Sequence, residues 1–217
     1  MGNPLQQTHE WFEARCGCLT ASRVACVLER QKNGKPYKAY FDMIDTIIQE
    51  RITGEIVSVG TTFAMQWGID HEDEAREMYE ATTGNVVELT GFILHPQVDF
   101  LGASPDGLVG DDGLVEIKCP NTATHLRRWK ANVVPEEYKP QMLLQLLCTG
   151  RKWVDFVDYD PRLTDEWAEA KFFCVRFQPE EAVLAEALEK CKEFLQAVDS
   201  EMQEFKNEYI AREEKGE

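Results

Sequence analysis

The sequence predicts a single α/β domain: a strand meander set among helices, with a helical N-terminal wing over residues 11–62, a core over 63–177 and a long C-terminal helix over 178–217. Three observations carry that expectation. Two apolar runs, 100–103 and 114–119, flank a segment rich in Gly, Asp and Pro, the pattern of two short strands joined by a turn. Apolar residues at 37, 40, 41, 44, 47 and 48 recur with a helical period, and a second helical pattern fills 63–83. From residue 184 the apolar positions 184, 188, 191, 195, 198, 202, 205 and 209 alternate four and three, which makes a heptad seam. A strand meander set between helices is the α/β pattern, and 217 residues suit one domain.

Taken in order, residues 10–28 read as a strap and then a short helix starting near Ser22, a residue type that caps helices or binds anions. A polar loop with two lysines follows at 31–36, then a helix from Tyr37 that Gly54 ends. The helix over 63–83 ends at Gly84, and most of its acids at 70–74 fit a solvated face. Residues 86–89 and 91–94 read as strands leading into the central hairpin. A basic amphipathic stretch follows at 122–130, then a helix over 136–148 carrying Gln141 and Gln145. Strands over 153–159 and 172–177 enclose Pro161 and Asp165. Pro179 opens a final helix of about thirty residues, whose seam fits packing along the domain's own flank, or a subunit contact.

With 43% apolar residues and five Trp the chain can bury a full core. The first ten residues lack the regions of a signal peptide, and Gly2 lacks the context for myristoylation. No apolar run reaches membrane-spanning length, so a soluble intracellular protein is expected. Seven scattered cysteines, with one C-x-C and no second pair, read as free thiols rather than disulfides, a zinc site or an iron–sulfur centre. The net charge of −16 argues against a nucleic-acid partner until its distribution is considered. Residues 14–38 hold six bases and one acid (+5), and 121–130 hold three bases and no acid; residues 176–217 hold twelve acids and six bases (−6). That polarity permits a basic groove on an acidic body.

Chemistry concentrates in 100–120. Asp106 follows the first strand, and Glu116 and Lys118 lie two apart on the second, on one face, with Ile117 opposite. Two carboxylates brought together favour a divalent cation between them, and an all-oxygen donor set selects Mg²⁺ or Mn²⁺ over Zn²⁺. A lysine beside it can orient water and stabilise negative charge on a phosphate. The same residues also fit a polar hairpin: Ser-Pro-Asp-Gly is an ordinary turn string, and Glu-x-Lys an ordinary exposed strand face.

Glu72, Asp106, Glu116-Ile117-Lys118 and Gln141 form an ordered set that resembles the PD-(D/E)xK nuclease core. Further strings sharpen it: W-x-x-x-R and T-A-S within 11–22, W-G-x-x-x-E at 67–72, S-P-D-G at 104–107, E-x-K-C-P at 116–120, Y-x-x-Q at 138–141 and Y-D-P-R at 159–162. Together these resemble the phage lambda-type exonuclease, the viral alkaline exonuclease/recombinase family, from about Trp11 to Phe177.

The resemblance implies a restriction-endonuclease-like fold, a central mixed sheet flanked by helices, with 1–217 a single nuclease domain and 63–177 its catalytic core. It implies a processive 5′-to-3′ exonuclease on double-stranded DNA ends that uses two Mg²⁺ ions, with Mn²⁺ as an alternative. Such an enzyme releases 5′-mononucleotides and leaves a 3′ single strand. Asp106, Glu116, the Ile117 carbonyl and Glu72 would be metal ligands, Lys118 would orient water, and Gln141 would steer Lys118. Arg15, Ser22, Ser104 and Gln141 would bind the 5′-phosphate. Met65 would be an apolar wedge at the duplex end, and Lys32 would reach the groove, where the family has arginine.

A homotrimeric ring is implied, its inner wall carrying the bases of 23–38 and 127–130. So are a single-strand annealing partner protein, no membrane, and a phage- or prophage-encoded protein in the cytosol of a bacterial host. Each residue also has a plainer reading: Arg15 paired with Glu13 or Glu10, Ser22 a helix cap, Gln141 a surface residue, Met65 part of the core. An endonuclease or resolvase on the same core, or a non-catalytic DNA-binding module, are the alternatives. Activity on closed circles would favour the first, and the acidic charge favours the second.

Overall fold

The computed structural model describes residues 6–57, 60 and 62–215, so the expectation that the first ten residues hold no signal peptide and that Gly2 lacks a myristoylation context lies partly outside the described residues. The chain runs α1 (His9–Arg15), β1 (Leu19–Thr20), α2 (Ala25–Leu28), α3 (Lys38–Thr53), α4 (Phe63–Thr83), β2 (Val87–Glu88), β3 (Ile93–Leu94), β4 (Leu101–Ala103), β5 (Gly107–Val109) and β6 (Gly113–Lys118). It continues through α5 (Thr122–Ala131), a 3-10 turn (Glu136–Tyr138), α6 (Lys139–Thr149), β7 (Trp153–Tyr159), β8 (Phe172–Phe177) and α7 (Glu181–Lys215).

Local chemistry explains the helix ends. Thr62 accepts a hydrogen bond from Met65 N and so caps α4, and Asn121 caps α5 through Thr124 N. Gly54 and Gly84 close α3 and α4 in the left-handed conformation, at the positions the sequence marks as stops. The strap expected at the start of the chain contains a helix of its own, α1, capped by Thr8. Ser22 does not cap the next helix: α2 begins later, its N-cap is Val24, and no side chain caps it.

The central hairpin forms differently from the expectation. Strands 100–103 and 114–119 do not pair. β4 lies in a three-stranded sheet, β1-β4-β3, while β6 lies in a five-stranded sheet, β2-β5-β6-β7-β8. The hairpin partner of β6 is β5, formed by Gly107-Leu108-Val109 out of the expected turn. Ser104, Pro105 and Asp106 therefore cross from one sheet to the other. Gly107 is required here, because a Cβ on it would stand 2.1 Å from Val87 Cγ1 across the β2–β5 ladder.

Within the large sheet β6 runs parallel to β7, with α5 and α6 in the connection, and all other neighbours are antiparallel. One sheet face packs on α4: Ala75 and Tyr79 meet Val115, Ile117 and Val157. The other packs on α6, where Met142 and Leu146 meet Leu114, Val154 and Phe156. Helix α6 also turns Leu144 and Cys148 toward the small sheet, α2, α3 and α7. It is thus buried on nearly every side. The α7 seam is covered at Cys191, Leu195 and Val198, then emerges: Phe205 and Tyr209 are exposed. Among the described residues no helix is long and apolar enough to cross a membrane.

Candidate active site

Burial on both faces of β6 decides the character of Glu116 and Lys118. They point toward α6 and Ile117 points toward α4, so the expected alternation holds, but no face is solvated. Glu116 is completely buried. A buried carboxylate must be neutralised or hydrogen-bonded. Lys118 Nζ donates to Glu116 Oε1, Gln141 Nε2 donates to the same oxygen at 2.6 Å, and Gln145 Nε2 donates to Oε2. The plain reading of Glu-x-Lys as an exposed strand face is overturned, as is that of Gln141 as a free surface residue. Gln141 makes its contact with Glu116, not with the arginine and serines with which the resemblance grouped it.

Asp106 sits at the sheet crossing, and its Oδ2 accepts the Ile117 amide at 2.7 Å, which ties the crossing to β6. Burial and the neighbouring Glu116 and Glu72 carboxylates push the Asp106 carboxyl well above the usual range. Burial likewise raises Glu72, with Glu116 adding to the shift against the pull of Lys118. On Lys118 burial acts to lower the ammonium, but Glu116 and Asp106 outweigh it and hold the group above its ordinary value. Glu72 is half-buried while its neighbours Asp73 and Glu74 are exposed, so it departs from the solvated face expected of the run. The Cys119 thiol donates to His71 O at 3.7 Å, holding the end of β6 against the turn of α4 that carries Glu72.

Crowded carboxylates that resist ionising together, with oxygen-only donors, fit a hard divalent cation such as Mg²⁺ or Mn²⁺. Among the described residues no three His, Cys, Asp or Glu side chains gather into an ion-holding group. An ion at Asp106 and Glu116 would take further ligands from the Ile117 carbonyl and water.

A second cluster adjoins the first. Arg15 Nη1 donates to Ser104 Oγ and Nη2 to Ser22 Oγ, both at 3.4 Å, and Ser22 Oγ lies 3.2 Å from Thr20 Oγ1. The guanidinium stacks on Trp11 at 3.9 Å, and the Trp11 indole donates to Ser104 Oγ at 2.9 Å. Trp11 and Thr20 are the members that the role assignments missed, although both stand inside the W-x-x-x-R and T-A-S strings. The plainer pairing of Arg15 does not form: Glu13 lies 3.4 Å from His9 instead. Burial and the nearby Arg23 lower the Arg15 guanidinium to about 10. A cation so placed favours an incoming anion. Ser104 and Asp106 are two residues apart, so their Cα atoms are within about 7 Å.

Two expected residues lie apart from these clusters. Met65 is half-exposed on the first turn of α4 beside the highly exposed Phe63, an apolar knob rather than core. Lys32 is exposed in the loop between α2 and α3. The basic tally also needs correcting. Arg23 forms a two-pronged pair with the buried Glu50, at 2.9 and 2.7 Å, and Arg128 pairs with Asp158 and Glu137. Those charges are engaged inside the fold.

A mixed sheet with Asp106 at its crossing, Glu116-x-Lys118 on β6 and Glu72 on a preceding helix has the PD-(D/E)xK type of fold. Residues 10–152 match the YqaJ-like viral recombinase domain, and the chain belongs to that family. It is similar to the alkaline exonuclease LHK-Exo of Laribacter hongkongensis, with 41% identity over 94% of this chain and 99% of that one, and a TM-score of 0.86. The same enzyme in complex with dAMP matches equally well, with 41% identity, the same coverage of 94% and 99%, and a TM-score of 0.86. A phage-related exonuclease of Haemophilus somnus 129PT shares the fold, with 14% identity, a TM-score of 0.67, and 87% and 96% of the two chains covered. No curated protein matches the sequence.

Proposed function

We propose that this protein is a divalent-metal-dependent exonuclease that degrades one strand of duplex DNA from its 5′ end. It releases 5′-mononucleotides and leaves a 3′ single strand for annealing-type recombination. The observation that carries the proposal is the adjacency of the two clusters, with Ser104 in the arginine pocket and Asp106 among the carboxylates two residues on. A site that anchors a terminal phosphate beside a hydrolytic centre removes nucleotides from an end. The likeness to an alkaline exonuclease supports the reaction class, and that relative's complex with dAMP is consistent with a mononucleotide product.

Asp106, Glu116 and the Ile117 carbonyl would hold one Mg²⁺ ion, and Glu72 with Asp106 a second. When bound, the ions supply Lewis acidity at the scissile phosphate and lower the pKa of water. Lys118, hydrogen-bonded to Glu116, would orient the attacking water and stabilise developing negative charge on the phosphate. Arg15, Ser22 and Ser104 fix the 5′ end. Met65, with Phe63 beside it, presents an apolar edge suited to parting the two strands. Lys32, Lys35, Arg127 and Lys130 would line the DNA path, within a homotrimeric ring that accounts for processivity and passes its product to an annealing protein.

The test uses linear, nicked and closed circular duplexes, each with Mg²⁺ and with chelator. Linear DNA should be digested from 5′ ends and closed circles spared, and chelator should stop the reaction. Cutting of closed circles would refute exonuclease action, and digestion in chelator would refute metal dependence.

A further inference from the structure

Helix α6 carries a second glutamine, Gln145, one turn beyond Gln141. It is completely buried, between the buried residues Met142, Leu143, Leu144, Leu146 and Cys148. Its carbonyl oxygen Oε1 is buried with no hydrogen-bond partner among the described residues. An unpaired buried acceptor is destabilising, a cost that leucine at this position would avoid. What the glutamine supplies is its single bond, from Nε2 to Glu116 Oε2.

Each carboxylate oxygen offers two lone-pair sites. Both sites on Glu116 Oε1 are taken, one by Lys118 Nζ and one by Gln141 Nε2. Among the described residues Oε2 receives Gln145 alone, which leaves one site open. We propose that Gln145 is a positioning residue for Glu116: by holding Oε2 from one side, it aims that oxygen's remaining lone pair at the divalent cation. The pair Gln141 and Gln145, one turn apart on one buried helix, clamps the carboxylate plane from both oxygens. Only the Gln145 arm acts on the oxygen free to bind an ion. The inference rests on the metal-dependent reading above.

The experiment titrates Mn²⁺ into the full chain without DNA and follows loss of the free-ion electron paramagnetic resonance signal. Gln145→Met keeps side-chain length and removes the donor. Its Mn²⁺ affinity should fall at least about tenfold, the scale typical of residues that orient a metal ligand. A cooperative melt and wild-type affinity for a short duplex in chelator should be retained. Wild-type Mn²⁺ affinity in Gln145→Met overturns the inference, and so does a parallel loss of duplex binding. If that variant does not melt cooperatively, Gln145→Asn, whose amide falls one methylene short, is read against the same outcomes. Failure of the underlying reading looks different: the wild type itself then takes up no Mn²⁺, or Asp106→Ala takes it up unchanged.

Discussion

The arginine pocket sets a quantitative expectation for Arg15→Ala. Arg15 is held by two hydroxyls at 3.4 Å and a stacked indole at 3.9 Å, none of them charged. Burial and the neighbouring Arg23 lower its guanidinium to about 10. Such surroundings disfavour the charged form, and an anion in the pocket relieves them. A terminal phosphate carries more charge than an internal one and gains more from the contact. Losing a hydrogen bond to a charged group costs about 1.5–3 kcal/mol, a ten- to hundredfold effect. Wild type should therefore digest 5′-phosphorylated ends roughly ten to a hundred times faster than 5′-hydroxyl ends, and Arg15→Ala should bring the ratio near one. Arg15→Lys should lie between, since it keeps charge and loses the planar fork. The assay is the ratio of initial rates on the two ends, with Mn²⁺ binding as the control for an intact metal site. A wild type indifferent to the end group, or an Arg15→Ala protein that keeps its preference, refutes the pocket.

Asp106→Ala and Lys118→Ala should each reduce digestion at least about a thousandfold while the fold survives, as expected of charge-stabilising groups at a reacting phosphate; substantial digestion by Asp106→Ala in Mg²⁺ would dismiss the site. Gly107→Ala should cost about 1–3 kcal/mol, because its Cβ meets Val87 Cγ1 at 2.1 Å, and a wild-type denaturation midpoint would contradict that crowding. His125 is buried between the Asp158 carboxylate and the Ala170 carbonyl. Burial acts to lower it, but those two acceptors win and raise it above 6.5. Its contribution is then fully present below about pH 6.5 and lost as pH rises through the raised value. The stability gap between wild type and His125→Gln should thus be wider near about pH 6 than near about pH 9 in guanidinium titrations, and an equal gap would show that the imidazole does not fold in its charged form.

Periodicity and punctuation are local, and the sequence by itself determined what depends on them. The helix stops at Gly54 and Gly84, the α7 seam, the strands on either side of residue 165 and the Glu116-x-Lys118 spacing are all properties of a few neighbouring residues. The ordered strings sufficed for the family as well, since they preserve the residue types the site needs. Pairing was decided only in three dimensions. Nothing within 100–119 says that β4 joins β1 and β3 while β6 joins β5 and β7, because the choice rests on where distant segments lie. The same is true of charge. Arg23 is engaged by Glu50, 27 residues away, and Arg15 lies among two hydroxyls and an indole. Gln145 reads in sequence as one polar residue in an amphipathic helix. It touches Glu116 only because α6 is buried against the large sheet at that height. A residue's chemical type is written in the chain, whereas its solvation and its partners, which set its acidity and its role, come from the packing of elements far apart in sequence.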